Sequence, residues 1–276
     1  MPLADGRYLA RREADGGESV LVLQTLAAPP RPSRRRRRPR EAEAAAPPPE
    51  VPLARATAIR AFEPFAGSAE AAEWLAASTA SDEALDAVVE TGAALLNDAL
   101  HARAVAAADP YAASLTPERA VAVRIGYGSG EETAAGTYSE AREVDVRATG
   151  ASPRQRRQED LRPQERVAAV LRGRDKIDAC ETLLLRARAD LDASRRREAA
   201  LQLRIGIDAL LAELPEALDD PDHRRDIETL EERRPAIDAA AERALRTDLD
   251  SESETAVRDA LEQAERILRR RRVLTE

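Results

Sequence analysis

The chain has 276 residues, enough for two modest domains each with a core of its own, and its 43 basic against 51 acidic side chains make it mildly acidic. That balance argues against general coating of nucleic acid as its main business, and the shortage of aromatics, with Trp74, Phe62, Phe65 and four tyrosines, argues against a deep aromatic cofactor pocket. A single cysteine, Cys180, excludes both a disulfide framework and a cysteine-based zinc site, and it suits a reducing compartment.

The N-terminus, Met1-Pro2-Leu3-Ala4-Asp5-Gly6, lacks a basic start followed by an apolar stretch. No run approaches the roughly 18 apolar residues of a membrane span, so a cytoplasmic protein is expected. Residues 7–13 and 18–26 read as two strands joined by Ala14-Asp15-Gly16-Gly17, where Asp-Gly accepts the positive backbone angles of a tight hairpin. Val20 to Leu23 is an unbroken apolar run, which marks a strand covered on both faces.

Residues 27–50 carry Pro29, Pro30 and Pro32, the arginines Arg34, Arg35, Arg36, Arg37 and Arg38, then Pro39 and Pro47-Pro48-Pro49. Proline fixes an extended course and like charges repel, so the sequence predicts an exposed, disordered loop inside a domain. Those five arginines are the candidate nucleic-acid or acidic-surface contact, since each neutralised phosphate would release counterions. No aromatic is interleaved for base stacking. Residues 66–118, rich in acidic side chains with Arg103 the one arginine, offer an intramolecular alternative.

A strand over 51–62, a short helix over 68–78 and a long helix over 82–107 follow. Leu85, Val88, Leu95, Leu96, Ala99 and Ala106 recur at helical steps along the long one, with Gly92 weakening the stripe. His101 lies three residues from Asp98 on that helix, a polar face rather than a ligand set. Val121, Val123, Ile125 and Tyr127 alternate as a strand, and Val144 with Val146 repeats the pattern. Between them Gly126, Gly128, Ser129 and Gly130 form the candidate phosphate loop, because glycines let backbone amides approach an anion. Against it, Glu131-Glu132 follow directly, no Lys-Ser/Thr pair is present, and the downstream sequence reads as a strand.

From Ser152 the period changes to helical. Ser152-Pro153 with Gln155 reads as a capped start, and helices are predicted over 163–172, 174–191 and 195–214. The second places Ile177, Cys180, Leu184, Ala187 and Leu191 on one face; the third does so with Ala200, Leu203, Ile207, Leu210 and Leu214. Asp220-Pro221 starts another helix, which Pro235 must kink or divide. The last opens at Ser251 with Glu254 completing a capping box, and it ends in Arg269 to Arg272, which suit a helix C-terminus. Around 174–214, Glu198-Ala199-Ala200-Leu201 and the following Pro215 resemble a tetratricopeptide-type helical hairpin. The resemblance covers about forty residues and lacks the second copy that a repeat array requires.

The sequence thus predicts an α+β domain over 1–150 and an all-α domain over 151–276, either a helical bundle or a short helical-hairpin solenoid. The expected function is a non-enzymatic interaction or regulatory protein whose helical half binds a protein partner or itself. No catalytic residues, metal or cofactor are expected. The alternatives are nucleic-acid binding through Arg34 to Arg38, and nucleotide or phosphate binding through Gly126 to Gly130.

Overall fold

A computed structural model describes residues 3–12, 17–27, 53–61, 64–144, 164–213 and 220–275. The hairpin tip 13–16, the arginine segment 28–50, the Ser152 cap and Pro215 lie outside the described residues. The chain divides into two compact units, Met1–Gly150 and Ala151–Glu276. The first is α+β and the second is all-α.

In the first unit, β1 (Gly6–Arg12), β2 (Gly17–Ala27) and β3 (Leu53–Arg60) form an antiparallel sheet with β2 in the centre. Leu21 pairs with Tyr8 and Ala58, and Val22 with Arg7 and Thr57. Alternation then sends Leu21 and Leu23 to one face, where they meet Leu95, Leu96 and Ala99 of α2 (Asp82–Ala107). Val22 and Thr57 point to the other face and are also buried. A short helix, α3 (Gly130–Ala134), lies against β3 there, with Thr133 and Ala134 buried in it. The unbroken apolar run of β2 follows from this two-sided cover.

A second hairpin pairs β4 (Val123–Tyr127) with β5 (Glu140–Val144) and packs on α1 (Ser68–Ser78). Its core is Leu75, Ile125 and Val144, edged by Trp74, Leu85 and Val88. Ser81 caps α2 by accepting from the Ala84 N–H, and Ala108 ends it in the left-handed region at φ 49°. Val121, expected in β4, precedes it and is exposed, because its neighbours Arg119 and Ala120 close a 3₁₀ turn over Pro117–Arg119.

In the second unit, residues 164–171 form a short helix (α4), followed by α5 (Ala179–Asp192), α6 (Arg196–Glu213), α7 (Pro221–Ala244) and α8 (Ser251–Thr275). Cross-helix pairs give the sense of each neighbour. Arg204 and Arg234 link α6 to α7 through Asp238 and Asp208, while Arg188 and Arg271 link α5 to α8 through Glu265 and Asp178. Neighbouring helices are antiparallel, and α8 returns to both α5 and α6, so α5 to α8 make a closed bundle and not an open stack of hairpins. The core is aliphatic: Leu184, Leu203, Ile207, Leu210, Leu230, Ile237, Leu261 and Ile267 are fully buried. Gly206 lets α5 close in on α6, since a Cβ there would stand 3.0 Å from Leu184 Cδ2.

One helix start and one cap differ from the sequence reading. α5 begins at Ala179 and not at 174, because Glu181 accepts from the Asp178 N–H and sets the start; Ile177 is therefore exposed, outside the core stripe. α8 is capped by Asp250, whose carboxylate accepts from the Ser253 N–H, while Glu254 instead pairs with Arg196 and Arg258. Pro235 neither ends nor divides α7, which runs through it as one helix. The carbonyl that Pro235 leaves without a helical donor belongs to Glu231, an exposed residue.

Candidate functional site

Arg34 to Arg38 lie outside the described residues. The glycine segment is described, and its own chain occupies it. A Cβ on Gly126 would stand 2.5 Å from the Glu140 carbonyl oxygen and 2.7 Å from Ala141 Cβ, so the pairing of β4 with β5 requires glycine there. One on Gly128 would meet Thr133 Oγ1 at 2.8 Å, whereas Gly130 faces open space. The Ser129 hydroxyl donates to Glu132 Oε2 at 2.6 Å. Glu131 accepts two hydrogen bonds from Arg7, at 2.9 and 2.7 Å, and this guanidinium holds its carboxyl below the usual range. A short helix follows the glycines where a strand was expected, and the Arg7 pair fastens it to the first sheet. Arg55 adds a second tie, donating to Gln24 and to the Ala135 carbonyl.

The other candidate side chains fall apart from one another. His101 is exposed on α2, in the first unit. Cys180 is fully buried at the start of α5; burial first, and the Glu213 carboxylate beside it, push its thiol up to about 12. Such a thiol carries almost no thiolate at neutral pH. Among the described residues no group of three His, Cys, Asp or Glu side chains is placed to hold a metal ion. No helix among them is long and apolar enough to cross a membrane.

A cluster of ion pairs in the second unit lies where α5 and α7 begin and α6 and α8 end. Arg270 of α8 reaches three α7 carboxylates, Asp220 at 3.9 Å, Asp222 at 3.3 Å and Asp226 at 3.2 Å. Arg271 pairs with Asp178 at 3.0 Å and Arg272 with Glu181 at 3.0 Å. Arg166 of α4 meets Glu181 from the other side at 2.7 Å and also holds Asp175. Burial would raise the Glu181 carboxyl, but Arg166 and Arg272 outweigh it and leave the group below its ordinary value. Gln263 Nε2 donates to the Asp226 carbonyl at 2.9 Å and to Asp226 Oδ1 at 3.1 Å, inside the core. His223 sits beside them, 2% exposed, with no hydrogen-bond partner for Nδ1 among the described residues.

The sequence reading took the Arg269 to Arg272 run only as suited to a helix C-terminus. The signal that would have found the clasp is the acidic first turns of the helices at 178–181 and 220–226, which in an antiparallel bundle must face the arginine-rich last turn of α8. The chain matches no protein-family model, no curated protein and no solved structure.

Proposed function

We propose that the protein is a non-enzymatic interaction protein and that its helical unit carries the surface for a protein partner or a second copy. One observation carries the reading. On α4 Arg166 reaches into the clasp, while Val167 and Leu171, one turn apart on the same face, are 55% and 82% exposed. Ile177, just after it, is 62% exposed. Exposed apolar side chains grouped on one helix are a common mark of a contact surface. The buried thiol of Cys180 fits a reducing, cytoplasmic setting.

The test is affinity capture with the full chain, a variant carrying Val167→Glu and Leu171→Glu, and a variant lacking residues 27–50. On this reading a protein partner is kept by the deletion and lost with the double substitution, at unchanged helical content. The opposite result, with capture following residues 27–50 or nucleic acid bound through them in a strongly salt-dependent way, would move recognition to Arg34 to Arg38.

A further inference from the structure

The exposed aliphatic side chains of α4 have a cationic border. Val167, Leu171 and Ile177 are exposed, and Leu185, one turn along α5 from the Glu181 that anchors α4, is 71% exposed. Arg172 and Arg174 follow Leu171 on either side of Gly173. Both are exposed, and among the described residues neither guanidinium has an ion-pair or hydrogen-bond partner. The carboxylates that follow in the chain are already taken: Asp175 is held by Arg166, Asp178 by Lys176 and Arg271, and Glu181 by Arg166 and Arg272. Glu165, at the other end of α4, is the one acid of residues 164–181 without such a partner among the described residues. In a chain of net charge -8, the surface beside Leu171 thus offers uncompensated positive charge next to exposed aliphatic side chains.

On the reading of α4 as a contact surface, we propose that its occupant is an acidic amphipathic helix of another protein, with aliphatic side chains seated on Val167, Leu171 and Ile177 and carboxylates on Arg172 and Arg174. Val167 and Leu171 make a ridge at i, i+4 spacing, which a second helix takes between its own apolar side chains. Aliphatic contact supplies the affinity. The two guanidiniums select the sign of the partner's charge, since a like-charged segment would be repelled where water is being excluded.

Two other occupants fit less well. An anionic membrane surface also combines apolar and negative groups, but residues 164–186 contain no Trp, Tyr or Phe to sit among headgroups, and the net negative charge of the chain is repelled there. In a second copy, the acidic helix α2 spends its apolar stripe inside its own unit, Leu95, Leu96 and Ala99 on the first sheet and Leu85, Val88 and Val89 around Leu75 and Ile125.

The experiment titrates the full chain into two labelled synthetic helices, read by fluorescence anisotropy. One has leucines at three- and four-residue steps flanked by glutamates, and its twin has lysines in place of the glutamates. The glutamate peptide should bind about tenfold more tightly than the lysine twin, a preference that shrinks as salt rises from about 0.05 to about 0.5 M. Val167→Ser with Leu171→Ser should weaken it about tenfold. Arg172→Glu with Arg174→Glu should turn the preference to the lysine twin. All four positions are exposed, so helical circular dichroism should be unchanged in both variants. No binding of either peptide, no preference between them, or a preference that survives the charge reversal would overturn the proposal. So would binding to phosphatidylserine vesicles, or self-association in sedimentation, that Val167→Ser with Leu171→Ser abolishes. A captured protein that is lost with Val167→Glu and Leu171→Glu but kept by the charge-reversed variant would overturn the acidic partner alone; one kept by both would remove α4 as the contact surface.

Discussion

Arg188 of α5 donates two parallel hydrogen bonds to Glu265 of α8, Nε to Oε1 at 2.8 Å and Nη2 to Oε2 at 2.9 Å, and so ties the first helix of the bundle to the last. Both side chains are about three-quarters buried, and Glu265 is the main reason the guanidinium's affinity for its proton is raised. A forked pair on a half-dry surface sits between an exposed ion pair and a buried one in worth. Arg188→Ala should cost about 1–2 kcal/mol of bundle stability. A double-mutant cycle with Glu265→Ala should give a coupling on the order of 1 kcal/mol; coupling near zero would show that aliphatic packing alone closes the ring.

Substituting the two ends of the glycine segment separates packing from ligand binding. Gly126→Ala forces a methyl group against the Glu140 carbonyl and Ala141, so the β4–β5 hairpin must shift, at a cost of roughly 2 kcal/mol or more. Gly130→Ala meets nothing and adds a better helix former to α3, so stability should hold or rise slightly. Thermal melts of the two variants check this. Equal losses would contradict the packing account, and inorganic phosphate that stabilises the parent but neither variant would restore the anion-loop reading.

Much of this architecture was legible because its determinants are local. The bounds of α1 and α2 follow from the helical stripe, from Ser81 as a cap, and from the turn at Ala108-Asp109-Pro110. The misjudged start of α5 shows where periodicity misleads: Ile177 keeps the stripe's spacing, yet Gly173 at φ 68° and the Asp178-Glu181 cap stop the helix from extending back to it. The clasp was illegible for a different reason. Glu181 and Arg272 are 91 positions apart, and nothing in either segment alone says that they meet. Only the bundle's closure, set by which apolar faces find one another, brings the acidic and basic helix ends together.

Acid should undo the clasp's carboxylates. Asp175, Glu181 and Glu213 all hold their protons less tightly than in an unfolded chain, whose values lie at 3.8 for Asp and 4.5 for Glu. A carboxylate shifted downward contributes fully above the unfolded value, and that contribution is lost as pH falls through the folded one. Bundle stability should therefore drop below about pH 4.5. Glu181→Gln should be less stable than the parent at pH 7, by a margin that shrinks toward pH 3. Denaturant midpoints at pH 7, 5 and 3 measure it, and a margin independent of pH would mean that Glu181 acts through its shape and not its charge.

The second unit should fold by itself. Its core draws on α5 to α8 alone, and its helix starts are capped within it, by Asp178 with Glu181, by Asp220 and by Asp250. Residues 152–276 expressed alone should give a strongly helical circular dichroism spectrum and one cooperative melt. Leu203 tests whether that melt reports the native bundle. It is fully buried on α6, so Leu203→Ala should cost about 2–5 kcal/mol through lost burial and the cavity left behind. Leu203→Asp places a charge where no basic partner is buried beside it in the aliphatic core and should abolish the transition. A fragment that is unfolded on its own would show that residues 1–151 are needed to hold the helices. A cooperative melt that survives Leu203→Asp would show that the helices of the isolated fragment pack through some other face.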